Sequence, residues 1–426
     1  TRASSPFGTI ADLLSELARR DVRLKAEEGR LTVSAPRGAL NDELKSALAR
    51  HKTEILALLV KQDGAATEAP ISIAPDPENR HEPFPLTDLQ QAYWVGRRET
   101  MELGGVGCHF YHEYDSEDLD LARLEASWNR LVRRHEMLRA VFTPDGRQRI
   151  LPEVPAYRIE VADLSAAPAE AAEAEVARTR ERMSHQVLSA EDWPLFEIRA
   201  TRLPGGRTRL HFDLDLLVAD GASVFRIFDE WGDLYDHPER PVEPLDLSFR
   251  DCVLSLAGAA GSAAGKRAWS AWEPRLAGLP GAPDLPRPPG ATPGARPRFA
   301  RRAARLPAEI WSKLLERTGS AGLTPSALLI AAYAEVLSAW SATDRFTIVL
   351  TLFLRPPIAP RIGEVVGDFS STVLLEIDRG TDPFWSFAIR VRDRLAGDLD
   401  HVLASGVRLI RERNRRLGRV EPFPIV

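Results

Sequence analysis

The stretch from His211 to Leu234, HFDLDLLVADGASVFRIFDEWGDL, constrains the fold of this chain more than any other. It begins as a strand, with alternating Phe212 and Leu214, and it ends as an amphipathic helix. Because an unpartnered buried carboxylate costs several kcal/mol, the corner between them must either pair its acidic groups or use them. Its polar residues have the spacing D-x-x-x-x-D-x-x-S and are Asp215, Asp220 and Ser223.

Length, composition and charge indicate the class of protein. A chain of 426 residues favours two or three domains, and 44% hydrophobic with 27% charged residues is typical of a soluble globular protein. The net charge of −5 gives no reason to expect nucleic-acid or membrane partners. Two distant cysteines, Cys108 and Cys252, offer neither a disulfide framework nor a zinc spacing. With no signal-peptide pattern and no run of about 18 apolar residues, a cytoplasmic location is expected.

Residues 1–61 have the pattern of a small separate domain. A helix is predicted from Ile10, a β-hairpin follows with Gly29 in its turn, and Asn41 begins further helical sequence to Lys61. The proline-containing residues 62–83 are interpreted as a linker.

The order helix, two strands, two helices, with the phrases LLSELARRDVRL and HKTEILALL, resembles the TubC-type N-terminal docking domain of nonribosomal peptide synthetases. That resemblance implies a homodimer through residues 1–61 that captures the C-terminal tail of the upstream subunit beside the hairpin. Arg23, Lys25 and Arg30 are basic and near the hairpin, so an acidic tail is the expected partner.

Residues 84–262 alternate strands with long helices, which indicates an α/β or α+β lobe. Thr87 and Gln90 form a predicted capping box, and His135 is interpreted as a protonatable cap at a helix C-terminus.

Several interpretations of the corner compete. Ser223 is interpreted as the helix N-cap rather than as a nucleophile, since no G-x-S-x-G turn surrounds it. Asp220 either shapes a turn or forms a buried ion pair with a distant arginine. His211, Asp213 and Asp215 share one strand face, as in an iron-binding triad, but nothing around His237 or His401 indicates the further ligand that such a site needs.

Residues 263–426 are interpreted as a second lobe. Phe299–Leu306 is predicted to be an edge strand. The helix LTPSALLIAAYAEVLSAW, capped by Thr324 with Pro325 at its first position, is predicted to be buried on most sides. Phe346–Leu354 is a continuous apolar strand of the kind that is covered on both faces of a sheet.

Four phrases in order, LTDLQQAYWVGR, RHEMLRAVF, WPLFEIRA and DLLVADGAS, closely resemble the heterocyclization domains of nonribosomal peptide synthetases, a branch of the condensation-domain superfamily. TLFLRPP, VVGDFSS, LLEID and ASGVRLIRE extend this resemblance to the end of the chain. The resemblance implies two chloramphenicol-acetyltransferase-like lobes in a V shape, with residues 84–262 as the N-terminal lobe and residues 263–426 as an incomplete C-terminal lobe.

The same resemblance implies a function. An acyl or peptidyl donor on one carrier protein is condensed with Cys, Ser or Thr on a downstream carrier, and cyclodehydration gives a thiazoline or oxazoline. Substrates arrive on the phosphopantetheine of the carriers, with no other cofactor and no metal. The three corner residues are the candidate catalytic set, in which Asp220 and Ser223 are interpreted as structural. The implied substrate tunnel contains Arg355, Asp368, Ser370 and Ser371.

The chain departs from the family pattern in two ways. Leu354 stands where the family has an asparagine, which removes an amide from the tunnel. The chain also stops at PFPIV, before the segment with a Thr and an Asp that the family credits with cyclodehydration, so it is expected to be a fragment or an incomplete record. Condensation without cyclodehydration and a non-catalytic docking and carrier-binding role therefore stay open. Arg355 is predicted to form an ion pair with Asp220.

Overall fold

The computed structural model of the chain divides into two units, Thr1–Pro70 and Ile71–Val426. The residues that the structure describes are 23–27, 30–34, 42–52, 55, 73, 75–98, 104–286, 302–355, 359 and 361–419.

The first unit contains the predicted hairpin. Strand β1 (Arg23–Glu27) pairs antiparallel with strand β2 (Arg30–Ser34), and Glu27 lies opposite Arg30 in the register. The pairing confirms the two predicted strands of the hairpin, and Gly29, predicted to lie in its turn, is outside the described residues.

A helix follows the hairpin. Helix α1 spans Asp42–Arg50, and Leu44 and Leu48, one helical turn apart, are both buried. The predicted helix from Ile10 lies outside the described residues, as does most of the predicted linker.

The second unit alternates strands and helices. In chain order they are β3 (Phe84–Pro85), α2 (Asp88–Gly96), β4 (His109–Glu117), α3 (Leu121–Arg134), β5 (Ala140–Phe142), β6 (Arg147–Ile150), β7 (Glu160–Asp163), α4 (Ala169–Met183), β8 (Phe196–Arg202), β9 (Arg207–Asp215), α5 (Gly221–Asp236), α6 (Phe249–Ala260), α7 (Ala263–Trp272), α8 (Ala308–Ser320), α9 (Pro325–Trp340), β10 (Arg345–Phe353), β11 (Ser370–Asp378), α10 (Phe384–Leu399) and α11 (Gly406–Leu417).

The described strands of the second unit form three sheets. One has the order β4-β9-β8-β7, with β7 and β8 parallel and the other pairs antiparallel. A smaller sheet has the order β3-β6-β5, and β10 pairs with β11 alone. Strand β9 lies between two partners along its length, so the position of Asp215 at its end is firmly fixed.

The largest core lies between the four-stranded sheet and helices α3 and α5. Trp128 of α3 packs against Trp231 of α5 at a ring-centroid distance of 4.8 Å and against Phe212 of β9 at 5.5 Å. Because side chains alternate along a strand, burial of Phe212 and Leu214 in this core places Asp215 with the other polar residues of β9 on the opposite face.

The structure confirms the predicted starts of two helices. Thr87 and Gln90 form the capping box of α2. Thr324 caps α9, with Pro325 at its first position.

Helix α9 corrects the prediction that it is buried on most sides. One face, with Ala331 and Leu337, packs in the core, but Leu329, Val336 and Trp340 are exposed, Trp340 by 66%. Hydrophobicity all round a helix predicts burial only if a second layer covers its outer face, and no described residue does so here.

Two strand predictions also need correction. Residues 302–306 of the predicted strand Phe299–Leu306 are not in a strand, since they have no ladder partner, and the rest of it lies outside the described residues. In β10 the first half is covered on both faces, as predicted, with Phe346 and Val349 in separate core clusters. The prediction is wrong for the second half, because Phe353 is 64% exposed.

None of the described helices is long and apolar enough to cross a membrane by itself. Helices α8 and α9, which meet at 102°, reach that length and hydrophobicity only when they are taken together.

Candidate functional site

The carboxylates of Asp215 and Asp220 accept hydrogen bonds from backbone N–H groups of the corner between β9 and α5. Asp215, the last residue of β9, accepts a hydrogen bond at Oδ1 from the backbone N–H of Leu217 at 2.9 Å and so closes a turn. Asp220 has extended backbone angles before the helix, and its side chain accepts from the N–H of Ser223 at 2.7 Å. Asp220 is therefore the N-cap of α5.

This geometry corrects the interpretation of Ser223 as the cap. Ser223 is the third residue of α5 and fully buried. Its Oγ donates to the carbonyl oxygen of Gly367 at 2.9 Å and accepts from the N–H of Gly367 at 3.1 Å and from Nη2 of Arg355 at 2.7 Å. Its role is to join the corner to the segment before β11.

Gly367 permits this close approach. A Cβ at this position would lie 2.2 Å from the buried ring of Phe249, and so any side chain would push the segment away from Ser223.

The predicted ion pair between Asp220 and Arg355 is confirmed. Nη2 of Arg355 lies 3.0 Å from Oδ1 of Asp220, and the N–H of Phe369 donates to Oδ2 at 3.2 Å. Arg355 also donates to the carbonyl oxygen of Val365 at 2.8 Å and lies over the ring of Phe369. Both charges of this pair are compensated, as a buried pair requires.

Asp215 has its own arginine. Its Oδ2 forms a buried ion pair with Arg97, which follows α2 and also donates to the carbonyl oxygen of Leu188 at 2.6 Å. Burial lowers the pKa of Arg97 to about 10, still far above neutrality, and so its guanidinium is charged at physiological pH. Sequence reasoning missed Arg97, although it is the last residue of the phrase LTDLQQAYWVGR.

His211 and Asp213, which share a strand face with Asp215, have separate partners. Nδ1 of His211 lies 2.8 Å from the hydroxyl of Tyr111, and burial lowers the pKa of His211 to about 4, so its ring is neutral near pH 7. Asp213 contacts Nδ1 of His109 and Nε2 of Gln186, each at 2.5 Å. Within the described ranges, no group of three or more His, Cys, Asp or Glu side chains is arranged to hold a metal ion.

His135 lies at the C-terminal end of α3, as the sequence predicts. Its Nε2 lies 2.8 Å from Oε2 of Glu230 of α5, so it bridges two helices that the core already packs together.

A cavity of about 400 Å³ lies beside the corner. Its walls come from the start of α2, from α6, from the start of β11 and from the start of α11, where Ser405 donates to Oδ2 of Asp88 at 2.5 Å. Its lining includes Leu354, Asp368, Ser370 and Ser371. Asp215, Asp220 and Arg355 do not line it, since their polar atoms are directed into the ion pairs of the corner.

Asp368 differs electrostatically from the corner carboxylates. It is 1% exposed, and burial, the largest cause, raises its pKa from 3.8 to about 7. The N–H of Ser370 donates to its Oδ1 at 3.0 Å, but Oδ2 has no hydrogen-bond partner among the described residues. It is therefore divided between its acid and carboxylate forms near neutral pH.

The predicted docking residues lie on the hairpin of the first unit, with Arg23 and Lys25 on β1 and Arg30 on β2. In the register Arg23 lies opposite Ser34, and Lys25 lies opposite Thr32.

Comparison with known families gives two matches. A family model of the condensation domain matches residues 81–403, and a model of the TubC N-terminal docking domain matches residues 10–61.

Individual proteins resemble the chain along most of its length. Pyochelin synthetase PchF of Pseudomonas aeruginosa is 38% identical over 98% of this chain and 23% of its own length. Phenyloxazoline synthase MbtB of Mycobacterium tuberculosis is 37% identical over 81% of this chain and 24% of its own length. The chain thus spans about a quarter of the length of these relatives.

A solved structure is also similar. The EpoB NRPS cyclization-docking bidomain from Sorangium cellulosum is 40% identical with a TM-score of 0.77, over 98% of this chain and 83% of that one. The mixed α/β architecture is therefore that of the condensation-domain fold.

Proposed function

The chain belongs to the condensation-domain family and carries a TubC N-terminal docking domain, and from this membership we propose that it is a heterocyclization domain of a nonribosomal peptide synthetase. It condenses a carrier-bound acyl or peptidyl donor with carrier-bound Cys, Ser or Thr, and then removes water to give a thiazoline or oxazoline. The substrates arrive as phosphopantetheine thioesters, and the free thiols of Cys108 and Cys252 fit a reducing cytoplasm.

The observation that carries the proposal is the corner itself. Asp220 and Ser223 are hydrogen-bonded to each other beside a cavity, and Asp215 ends the strand before them, in a chain that is 40% identical to a cyclization-docking bidomain. The name phenyloxazoline synthase for another relative points to the same class of product.

The cavity suits a reaction between tethered partners. Two thioester-bound reactants held in one enclosed space react at a high effective concentration, which supplies much of the rate of amide formation. The paired charges of the corner keep one wall of that space rigid without taking part in proton transfer. Dehydration needs proton transfer to a leaving hydroxyl, and this requires a group in the cavity that can give up a proton.

Mass spectrometry of the carrier-bound product tests the proposal. The chain is incubated with a donor carrier that bears an acyl thioester and with acceptor carriers loaded with Cys, Ser or Thr. We expect at least one acceptor to give the condensed product minus one water.

An alanine-loaded acceptor is the matched control, since it has an amine but no side-chain nucleophile, and should give at most the condensed product without loss of water. Condensation of Cys, Ser and Thr with water retained would contradict heterocyclization, and unreacted carriers would contradict any catalytic role.

Condensation without cyclodehydration is the second candidate, and Leu354 favours it. This residue lines the cavity and presents an apolar side chain where the family has an amide. Under this candidate, wild-type chain retains water in the product, and Leu354→Asn restores the loss of water in the same assay.

The docking domain recruits an upstream subunit in this proposal. Arg23, Lys25 and Arg30 attract an acidic C-terminal tail, and residues 1–61 form a homodimer. Reversal of all three charges to Glu in the whole chain should abolish binding of an acidic peptide, while light scattering should still report a dimer. Salt-independent peptide binding, or a monomer at micromolar concentration, would contradict these assignments.

A further inference from the structure

Helix α6 forms a continuous apolar wall of the cavity. Its lining residues recur at the spacing of one helical face and are Phe249, Val253, Leu256, Ala257 and Ala260. Phe249 packs against Gly367, whose N–H donates to Oγ of Ser223, so the first turn of α6 lies beside the corner. From Phe249 to Ala260 the helix rises about 16 Å, and the cavity follows it outward over this length.

A smaller recess of about 270 Å³ adjoins the outer end of this wall. Ala260, Leu403 and Arg408 line both the cavity and the recess, so the two spaces meet there. The other walls of the recess come mainly from α7, which contributes Lys266 and Trp269. Two basic side chains and no acidic side chain are among the described residues that line the recess.

The polar side chains that line the cavity at the start of α2 are bonded within the protein. Oγ1 of Thr87 accepts from a backbone N–H of α2 at 3.1 Å. Asp88 accepts from Ser405 at 2.5 Å, and Gln91 accepts from Arg411 at 2.8 Å. These three side chains therefore have partners before any ligand binds.

The two basic groups of the recess lack such partners. The guanidinium of Arg408 lies over the ring of Trp269, 5.6 Å from its centroid, and neither it nor the ammonium of Lys266 forms a hydrogen bond or an ion pair with a described residue. A ring on one face of a guanidinium leaves its N–H donors available to a ligand. Two uncompensated positive charges that line one small space attract an anion into it.

We propose that the recess binds a phosphate diester, held by charge-assisted hydrogen bonds from Arg408 and Lys266. This proposal rests on the proposed function, in which the substrates arrive as phosphopantetheine thioesters. The planar guanidinium matches two oxygens of a phosphate group, and the lysine adds a point charge. Arg408 and Lys266 are thus positioning residues for one carrier-bound substrate.

The length of the α6 wall supports phosphopantetheine as the source of the phosphate. In phosphopantetheine roughly thirteen bonds separate the phosphorus from the sulfur, and an extended chain spans them in about 15 Å. The wall from Phe249 to Ala260 is about 16 Å long, so a phosphate in the recess places the thioester at the corner. The methyl groups of the arm can pack on the apolar face of α6.

Kinetics with each carrier varied in turn test the assignment, because the recess holds the phosphate of one carrier only. Product is counted whether or not it has lost water. Arg408→Gln removes the charge with little change of volume, and we expect it to raise KM for one carrier by about tenfold or more at unchanged kcat. Arg408→Lys keeps the charge without the planar fork, so its KM should lie between the two.

The matched control is Arg415→Gln on the same helix. Arg415 is exposed and paired with Glu412, and its replacement should leave KM and kcat unchanged for both carriers. An unchanged KM for both carriers in Arg408→Gln, or a loss of kcat alone, would overturn the proposal.

Calorimetric titration of the whole chain separates the recess from the proposed function, because it needs no turnover. Phosphopantetheine should bind about tenfold or more tightly than pantetheine, which lacks the phosphate, and Arg408→Gln should abolish this difference. Equal affinities in wild-type chain would overturn the proposal even if the chain forms product. Inorganic phosphate that binds as tightly as phosphopantetheine would overturn the assignment to the carrier arm in favour of free phosphate. A chain that shows the expected difference but forms no product would support the recess and contradict the proposed function alone.

Discussion

The corner and the cavity wall both contain buried carboxylates, and Asp220 is close enough to Asp368 for their charges to interact. The two regions differ in the groups that are bonded to these carboxylates. Asp215 and Asp220 are each ion-paired with an arginine, whereas Asp368 accepts one backbone N–H at Oδ1 and its buried Oδ2 has no hydrogen-bond partner among the described residues. Each arginine holds its carboxylate in one position through an ion pair, whereas burial raises the pKa of Asp368. The two carboxylates of the D-x-x-x-x-D-x-x-S pattern are thus immobilised by ion pairs, and the carboxyl with the raised pKa lies outside that pattern.

The largest expected effect comes from removing the charge that pairs the corner. Arg355→Ala leaves Asp220 buried without its cation, and Ser223 without one of its donors, so we expect the free energy of unfolding to fall by about 3–5 kcal/mol. Urea unfolding followed by circular dichroism measures this loss.

Arg345→Ala is the matched control at the other end of β10, where the arginine is also ion-paired but exposed. Its urea midpoint should stay near that of the wild type. Equal midpoints for the two variants would show that the corner is no more dependent on its charges than the surface.

The next largest effect is expected from Ser223→Ala. This change leaves the N–H and the carbonyl of Gly367 without their side-chain partner inside the protein, which should cost about 1–3 kcal/mol. Ser320→Ala, at an exposed helix end, serves as the control and should leave stability nearly unchanged. If Ser223→Ala unfolded at the wild-type urea concentration, the corner would not be joined to the segment before β11 through this hydroxyl.

The raised pKa of Asp368 in the cavity wall should make the free energy of unfolding depend on pH. Asp368 has a pKa of about 7 when folded and an ordinary value near 3.8 when unfolded, so between these values the folded state binds more protons. Its contribution to stability is therefore complete below about pH 4 and is lost as the pH rises through 7. In Asp368→Asn this loss should be absent, so the variant gains stability relative to wild type from pH 4 to pH 8. If the urea midpoints of wild type and Asp368→Asn changed with pH in the same way, the raised pKa of Asp368 would be contradicted.

The sequence predicts the corner well because its geometry is local. A strand followed closely by an amphipathic helix follows from periodicity, although the sequence prediction placed the cap at Ser223 and not at Asp220. The Asp220–Arg355 pair followed from the family resemblance. The partner of Asp215 did not, since nothing local links a β9 carboxylate to Arg97 after α2. Ser223 was misassigned for the same reason, because its bonds go to Gly367, far along the chain.

The outer surface of the second unit was predicted less well. The hydrophobic sequence of α9 predicts burial, but periodicity reports only which residues could be covered and not which element covers them. Exposed Trp340 and Phe353 show this limit. Asp368 was found only as a member of the family phrase VVGDFSS, since its burial and its unpartnered Oδ2 are properties of the folded chain that no local pattern reports.

The smallest effect on stability is expected from Gly221→Ala, on the solvent side of the corner. Gly221 begins α5, and a Cβ added there would lie 3.1 Å from the ring of Phe353, an exposed side chain with room to turn away. Alanine also favours the helix over glycine, so the two effects oppose each other, and Gly221→Ala should change stability by less than about 0.5 kcal/mol. The same change at Gly367 meets the buried Phe249 ring and should lower the urea midpoint clearly. If Gly221→Ala were instead the more damaging of the two, the solvent side of the corner, and not its contact with the segment before β11, would hold the signature residues in place.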